Sequence, residues 1–405
     1  MFLINTFWGF LNFCRIIGFF PCKKLFSEEY NSDILTSCSG LSYILRCAFT
    51  MLTFLSLFAI SAFVIVKDMG MFSHMIDLIW NSFTGGVTGQ LTNFCMSVLP
   101  VIHAVVVYTA NWTSLSHLVL IQNIFAENMF MMYRTTKTLG IVFTLFILSL
   151  ILGFVFQLLA FIIATLKIEN FEIYECVILY SSMLSFLAIF AMPYIVFFLV
   201  YLNITESIMN YIQFIQADLD VRSKSNIFLE KVYGLSIILD SSKKLFTTQI
   251  FSAIISGLLG IIVIIYNLLA FYLREESLQL PLEKGLLIFP FIFFVIHHSI
   301  ILYFVNTRSD NIKDSVMDLR LVLNEIEPIE RLISFNGNMI SSKMGRNIVM
   351  KRLKNFQGFD GLGYFLAGKQ LMTGIFANVT TYLIVLVQFQ LGESGQSGVD
   401  DNLAH

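Results

Sequence analysis

Charged residues are scarce in this chain. Asp, Glu, Lys and Arg together supply 13% of its 405 residues, about half their share in a soluble domain. Hydrophobic residues supply 57%, and the mean hydropathy is +0.78. The formal net charge of −2 offers nothing to hold a nucleic acid. The six cysteines (Cys14, Cys22, Cys38, Cys47, Cys95 and Cys176) show no C-x-x-C spacing, so no zinc or redox site is read from them and unpaired thiols are expected. The apolar stretches carry no H-E-x-x-H, no G-x-S-x-G and no paired carboxylates. The expectation is a protein that is not an enzyme and uses no cofactor or metal. No internal repeat is visible, which speaks against a transporter built from inverted halves. A positive n-region is also missing: Arg15, Lys23 and Lys24 come after the first apolar residues. An interfacial helix on the cytosolic side is expected there rather than a cleaved signal peptide.

What is present is apolar length. Seven windows reach the ~20 residues that a bilayer requires: 47–66, 91–110, 139–165, 173–202, 245–272, 285–305 and 365–389. The expected fold is an all-α polytopic membrane protein with seven transmembrane helices. Lys and Arg fix its orientation. Twenty of the 25 fall before span one and after spans two, four and six, nine of them in 306–364; Lys67, Lys167, Arg274 and Lys284 fall on the other side, and Lys369 sits at the mouth of span seven. The positive-inside rule then puts the N-terminus in the cytosol and the C-terminus outside, opposite to a rhodopsin-like receptor. Sequons at Asn111, Asn203 and Asn378 fall at cytosolic or intramembrane positions and are expected to stay unmodified.

The chain divides as a cytosolic segment (1–46), spans one to six (47–305), a cytosolic connection (306–364), span seven (365–389) and an acidic outer tail without regular structure (390–405). Within the connection, Ile312, Val316, Leu319, Leu323, Ile326 and Ile333 recur at helical steps, with Asp314, Asp318, Arg320 and Glu325 between them. This reads as an amphipathic helix with one buried stripe.

Span seven is unusual in carrying polar residues. Asn378, Thr381, Val385 and Gln388 stand at i, i+3, i+7 and i+10, on one helix face. An unpaired amide in hydrocarbon costs several kcal/mol. Such a stripe either bonds neighbouring helices or faces a water-filled axis; both readings stay open on the residues alone.

Thr381-Tyr382, five apolar residues, then Gln388-Phe389 resembles the TY-hhhhh-QF signature that ends the last helix of insect gustatory receptors. The resemblance implies a tastant-gated, non-selective cation channel. In that family four subunits each give their seventh helix to a central pore, and cytosolic extensions of helices four to seven form an anchor where subunits meet. The ligand binds in an outward-opening pocket among helices two to six. By position Gln388 and Phe389 resemble the gate pair, Phe389 being the constriction that closes by dewetting. Val385 would sit one turn deeper, and Thr381 and Tyr382 would support the helix. The expected setting is the plasma membrane of chemosensory neurons (dendrite, axon, cell body), as a homotetramer or with related subunits. A related odorant-receptor channel is the alternative, and a transporter the more remote one.

Given that topology, the pocket candidates are Asn93, Gln157, Tyr180, Ser181, Tyr266 and Asn267 in the outer halves of the spans, with His103, His297 and His298 near mid-span. Aromatic walls with a few polar groups suit a small organic ligand; the same groups can instead satisfy one another between helices. With no carboxylate in that span, the histidine pair does not read as a metal site. Sugar and bitter compound both remain possible tastants.

Overall fold

The computed structural model describes residues 22–27, 32–37, 113–127, 173–218, 225–273, 281–325, 332–335 and 338–403, with separate helical positions between 102 and 110 and between 144 and 159. In several stretches, chiefly 22–37, 173–194, most of 270–294, 332–342 and beyond 389, it describes backbone alone. The order is β1 (Cys22–Ser27), β2 (Ser32–Ser37), α1 (Leu115–Glu127), α2 (Ile173–Asp218), α3 (Ser225–Leu273), α4 (Pro281–Glu325), β3 (Leu332–Phe335), β4 (Asn338–Ser341), α5 (Ser342–Asn355), β5 (Asp360–Gly361), β6 (Phe365–Leu366) and α6 (Lys369–Leu403).

Helices α2, α3 and α4 have 46, 49 and 45 residues. At 1.5 Å per residue each is about 70 Å long, more than twice the ~30 Å of hydrocarbon. Each therefore runs beyond any bilayer it crosses. The sequence shows why it can. In α4 the apolar run gives way to the stripe Ile312, Val316, Leu319 and Leu323, all buried, while Asp314, Asp318 and Glu325 are exposed. Ile326 lies outside the described residues, and Ile333 belongs to strand β3 rather than to this helix. Helix α3 is the hub: α1, α2, α4, α5, α6, β3 and β5 all pack on it.

An aromatic cluster closes the bundle where the helices leave their apolar part. The Tyr201 and Phe246 ring centroids are 5.1 Å apart, and Phe359 lies 5.8 Å from Tyr201 and 5.9 Å from Phe246. The Tyr201 hydroxyl donates to the Val305 carbonyl at 2.8 Å. One buried point thus joins α2, α3, α4 and the segment after α5.

Three stretches among the described residues are long and apolar enough to cross a membrane: Ile195–Ala217, Phe228–Tyr266 and Lys369–Phe389. The chain is a mostly helical membrane protein. Window 47–66 and the expected N-terminal interfacial helix lie outside the described residues.

Two expectations change. The fold is not purely α, since the described residues include three antiparallel hairpins: β1–β2, β3–β4 and β5–β6. Between β3 and β4 the register leaves only Asn336 and Gly337, the pair that two-residue hairpin loops favour. The second change concerns α6. It begins at Lys369, after Phe365–Leu366 pairs back on Asp360–Gly361, and it continues to Leu403. The tail 390–403, expected without regular structure, is therefore helical. Extending an existing helix costs no new nucleus, so a polar tail can follow a stable apolar helix. The Asn203 sequon is buried, with its Nδ2 donating to the Leu199 carbonyl at 2.9 Å, and is closed to glycosylation.

Candidate functional site

Helix α6 packs on the core through one side. Ile375 and Val379 are buried, and Leu371, Met372, Leu383 and Leu386 rest against the core. At 100° per residue the polar stripe Asn378, Thr381, Val385 and Gln388 covers an arc of about 80° on another side, and all four residues are exposed. Phe389 is 61% exposed and Tyr382 57%. Only 11% of the most apolar part of this helix is buried in the chain, against 83% for Ile195–Ala217. An apolar helix this bare is left to lipid or to other chains.

The polar groups of the stripe differ. The Thr381 hydroxyl donates to the Ala377 carbonyl, and Thr380 does the same to Phe376, both at 3.0 Å. These hydroxyls are satisfied within the helix and tolerate lipid. Asn378 and Gln388 have no side-chain partner among the described residues. Among the described residues these two amides join no neighbouring helix.

A second polar group lies between helices. His103 is buried, and its Nδ1 stands 2.8 Å from Ser252 Oγ and 3.1 Å from Ser256 Oγ, both on α3. Ser256 also donates back to the Ser252 carbonyl. One step further along, a Cβ at Gly260 would stand 3.3 Å from His298 Nε2. His297 and His298 of α4 have ring centroids 5.6 Å apart, and His297 lies within electrostatic reach of both His298 and His103. His103 and His298 therefore meet one stripe of α3, formed by Ser252, Ser256 and Gly260, with His297 against His298. Small residues at four-residue spacing let helices approach closely, and here they make room for imidazoles. Tyr266 is buried about 9 Å further along α3. Among the described residues no three His, Cys, Asp or Glu side chains converge as metal ligands do.

The remaining candidates fall where the description does not reach their side chains. Asn93 and Gln157 lie outside the described residues. Tyr180 and Ser181 fall on α2 and Asn267 on α3, with side chains outside the description.

Sequence reasoning missed a third group, the strap between α5 and α6. Asp360 accepts from Lys243 Nζ at 2.6 Å and from Thr247 Oγ1 at 2.7 Å, both on α3, and from the Gly363 N–H at 3.2 Å. The Leu362 N–H donates to Thr247 Oγ1 at 2.9 Å. Leu362 and Gly363 have φ of 52° and 78°, the left-handed geometry of tight hairpin turns. On the α4 side, Ser309 Oγ accepts from the Phe359 N–H at 3.0 Å, Asn306 Oδ1 from the Gly368 N–H at 2.8 Å and Asp310 Oδ2 from the Lys369 N–H at 2.6 Å. The D-G-L-G turn at 360–363 was the available signal.

Long helices that pass from an apolar zone into a packed polar extension, with the last helix bare, define a class of helical membrane protein by architecture. The particular likeness is to the insect olfactory receptor OR5 from Machilis hrabei. The TM-score is 0.59 at 10% identity, covering 96% of this chain and 99% of that one. A structure of the same receptor in complex with eugenol gives 0.60, with the same identity and coverage. At 10% identity the likeness is one of fold. No protein-family model matches the sequence, and no curated protein matches it.

Proposed function

We propose that this chain is a chemosensory receptor that works as a ligand-gated cation channel. The observation that carries the proposal is α6: a helix almost bare within its own chain, whose exposed face bears the amides of Asn378 and Gln388, without a partner among the described residues. Copies arranged around an axis would turn that stripe toward water, where the amides are solvated and ions can pass. The olfactory-receptor fold supports the reading. A small organic molecule is the proposed stimulus, bound where His103, His297 and His298 meet; that the similar olfactory receptor holds eugenol fits such a ligand. The signature from Thr381 to Phe389 points to taste, with a sugar or a bitter compound as stimulus. The likeness to OR5 favours an odorant-type stimulus as the second reading. In either case Phe389 is the apolar gate and Gln388 the group that rewets it.

The test is whole-cell recording from cells expressing the chain alone, with sugars, bitter compounds and volatile phenols applied in turn. A cation-selective evoked current is expected. Phe389→Ala should raise resting conductance severalfold, because a smaller side chain widens a dewetted constriction. An unchanged leak at equal surface density removes Phe389 from the gate. Gln388→Ala should weaken evoked current while surface density holds; a normal current returns Gln388 to a packing role.

A further inference from the structure

The start of α6 lacks a cap of its own. The sequence there is Ala367-Gly368-Lys369-Gln370, with no Ser, Thr, Asp or Asn to accept from the first free N–H groups. The acceptors come from α4 instead. Asn306 takes the Gly368 N–H and Asp310 takes the Lys369 N–H, on successive residues. The Asp310 carboxylate also meets the positive end of the helix dipole. Gly368 is what permits the approach, since a Cβ there would lie 2.6 Å from Asp310 Oδ1. The strap that leads into α6 is fixed to the same face of α4 through Ser309. It closes on itself with the Ala367 N–H donating to the Phe359 carbonyl at 2.8 Å.

We propose that Asn306 and Asp310 form a seat through which α4 positions α6, so that a displacement of α4 at its histidine end is delivered to the bare helix. Helix α4 is unbroken from Pro281 to Glu325. His298 and Asp310 stand twelve positions apart, roughly 18 Å along continuous helix. One helix thus carries both the candidate ligand cluster and the cap of α6. Asp310 is a positioning residue, acting through the backbone of Gly368 and Lys369. At rest the seat holds α6 in its closed placement. The electrical part of this inference rests on the channel reading; the seat itself does not.

Two readouts on the full chain test it. The first is hydrogen exchange of the purified protein in lipid. Asp310→Ala should speed exchange in the first turn of α6 by about tenfold, the scale of a lost cap, with little change in α3. Asp310→Asn keeps an oxygen acceptor and should stay close to wild type. The second readout is resting conductance, which should rise by about threefold in Asp310→Ala and stay low in Asp310→Asn. Folding is controlled by the pair Asp310→Cys/Gly368→Cys: the Cβ position at 368 lies 3.2 Å from Asp310 Cγ, within reach of a disulfide. Oxidised, this pair should show wild-type protection and leak; reduced, the same molecules should behave as Asp310→Ala. Unchanged exchange in Asp310→Ala overturns the seat. Faster exchange with unchanged conductance, in cells where Phe389→Ala leaks, overturns the coupling. If Phe389→Ala is silent too, the channel reading falls, and exchange alone then upholds or rejects the seat.

Discussion

Asp360 shows how a short turn can be locked. Burial opposes its charge, but the hydrogen bonds from Lys243 and Thr247, the charge of Lys243 and the Gly363 N–H outweigh that and hold the carboxyl below its ordinary value of 3.8. A carboxyl depressed in the folded state stabilises the protein above its unfolded pKa and loses that contribution as pH falls through the folded one. The strap should therefore be indifferent to pH between about 5 and 8 and loosen only in acid. Asp360→Asn should cost about 1 kcal/mol at pH 7, modest because Lys243 is partly exposed. Thermal unfolding of wild type and variant across pH checks this: the gap should close as pH falls below 3.8, and a gap constant through acid rejects the account. Gln388 and Phe389 could be proposed from the sequence because their pattern is local. The sequence hid Asp310 and Asp360 because their partners lie 59 and 113 residues away.

Among elements, the helical periods were legible and the joints were not. The stripe Ile312, Val316, Leu319 and Leu323 is buried as its spacing indicates. The Asn336-Gly337 pair between β3 and β4 is a turn signal in the sequence, but the helical residues around it set the pattern for the whole connection. The clamp between α2 and α4 had no such signal. Arg308 donates to Glu206 at 2.5 Å, with both side chains largely buried, and also reaches Met209 Sδ at 3.8 Å. Removing one member of a buried pair strands the other, at a cost of about 3 kcal/mol or more. Glu206→Ala should therefore lower the unfolding midpoint by several degrees. The double replacement Glu206→Gln/Arg308→Met, which leaves no charge behind, should recover most of the loss. If Glu206→Ala alone unfolds like wild type, the pair does not hold α2 to α4.

For the whole molecule, composition alone established a membrane protein, and the last helix suggested what one chain lacks. An amide exposed to hydrocarbon costs several kcal/mol, and α6 presents two, at Asn378 and Gln388, with no partner in its chain among the described residues. Lipid cannot satisfy them; water or protein must. A ring in which each copy turns this face to a common axis satisfies every copy equally, as closed symmetric assemblies do. The resemblance of Thr381 to Phe389 to the gustatory-receptor signature implies four copies, so the predicted particle is a homotetramer with a mass about four times the 46.2 kDa of one chain. Native mass spectrometry from lipid nanodiscs checks it directly. Replacing both amides by leucine should permit single copies to persist in lipid, because the face no longer penalises exposure. A wild-type preparation of single copies alone overturns the homotetramer.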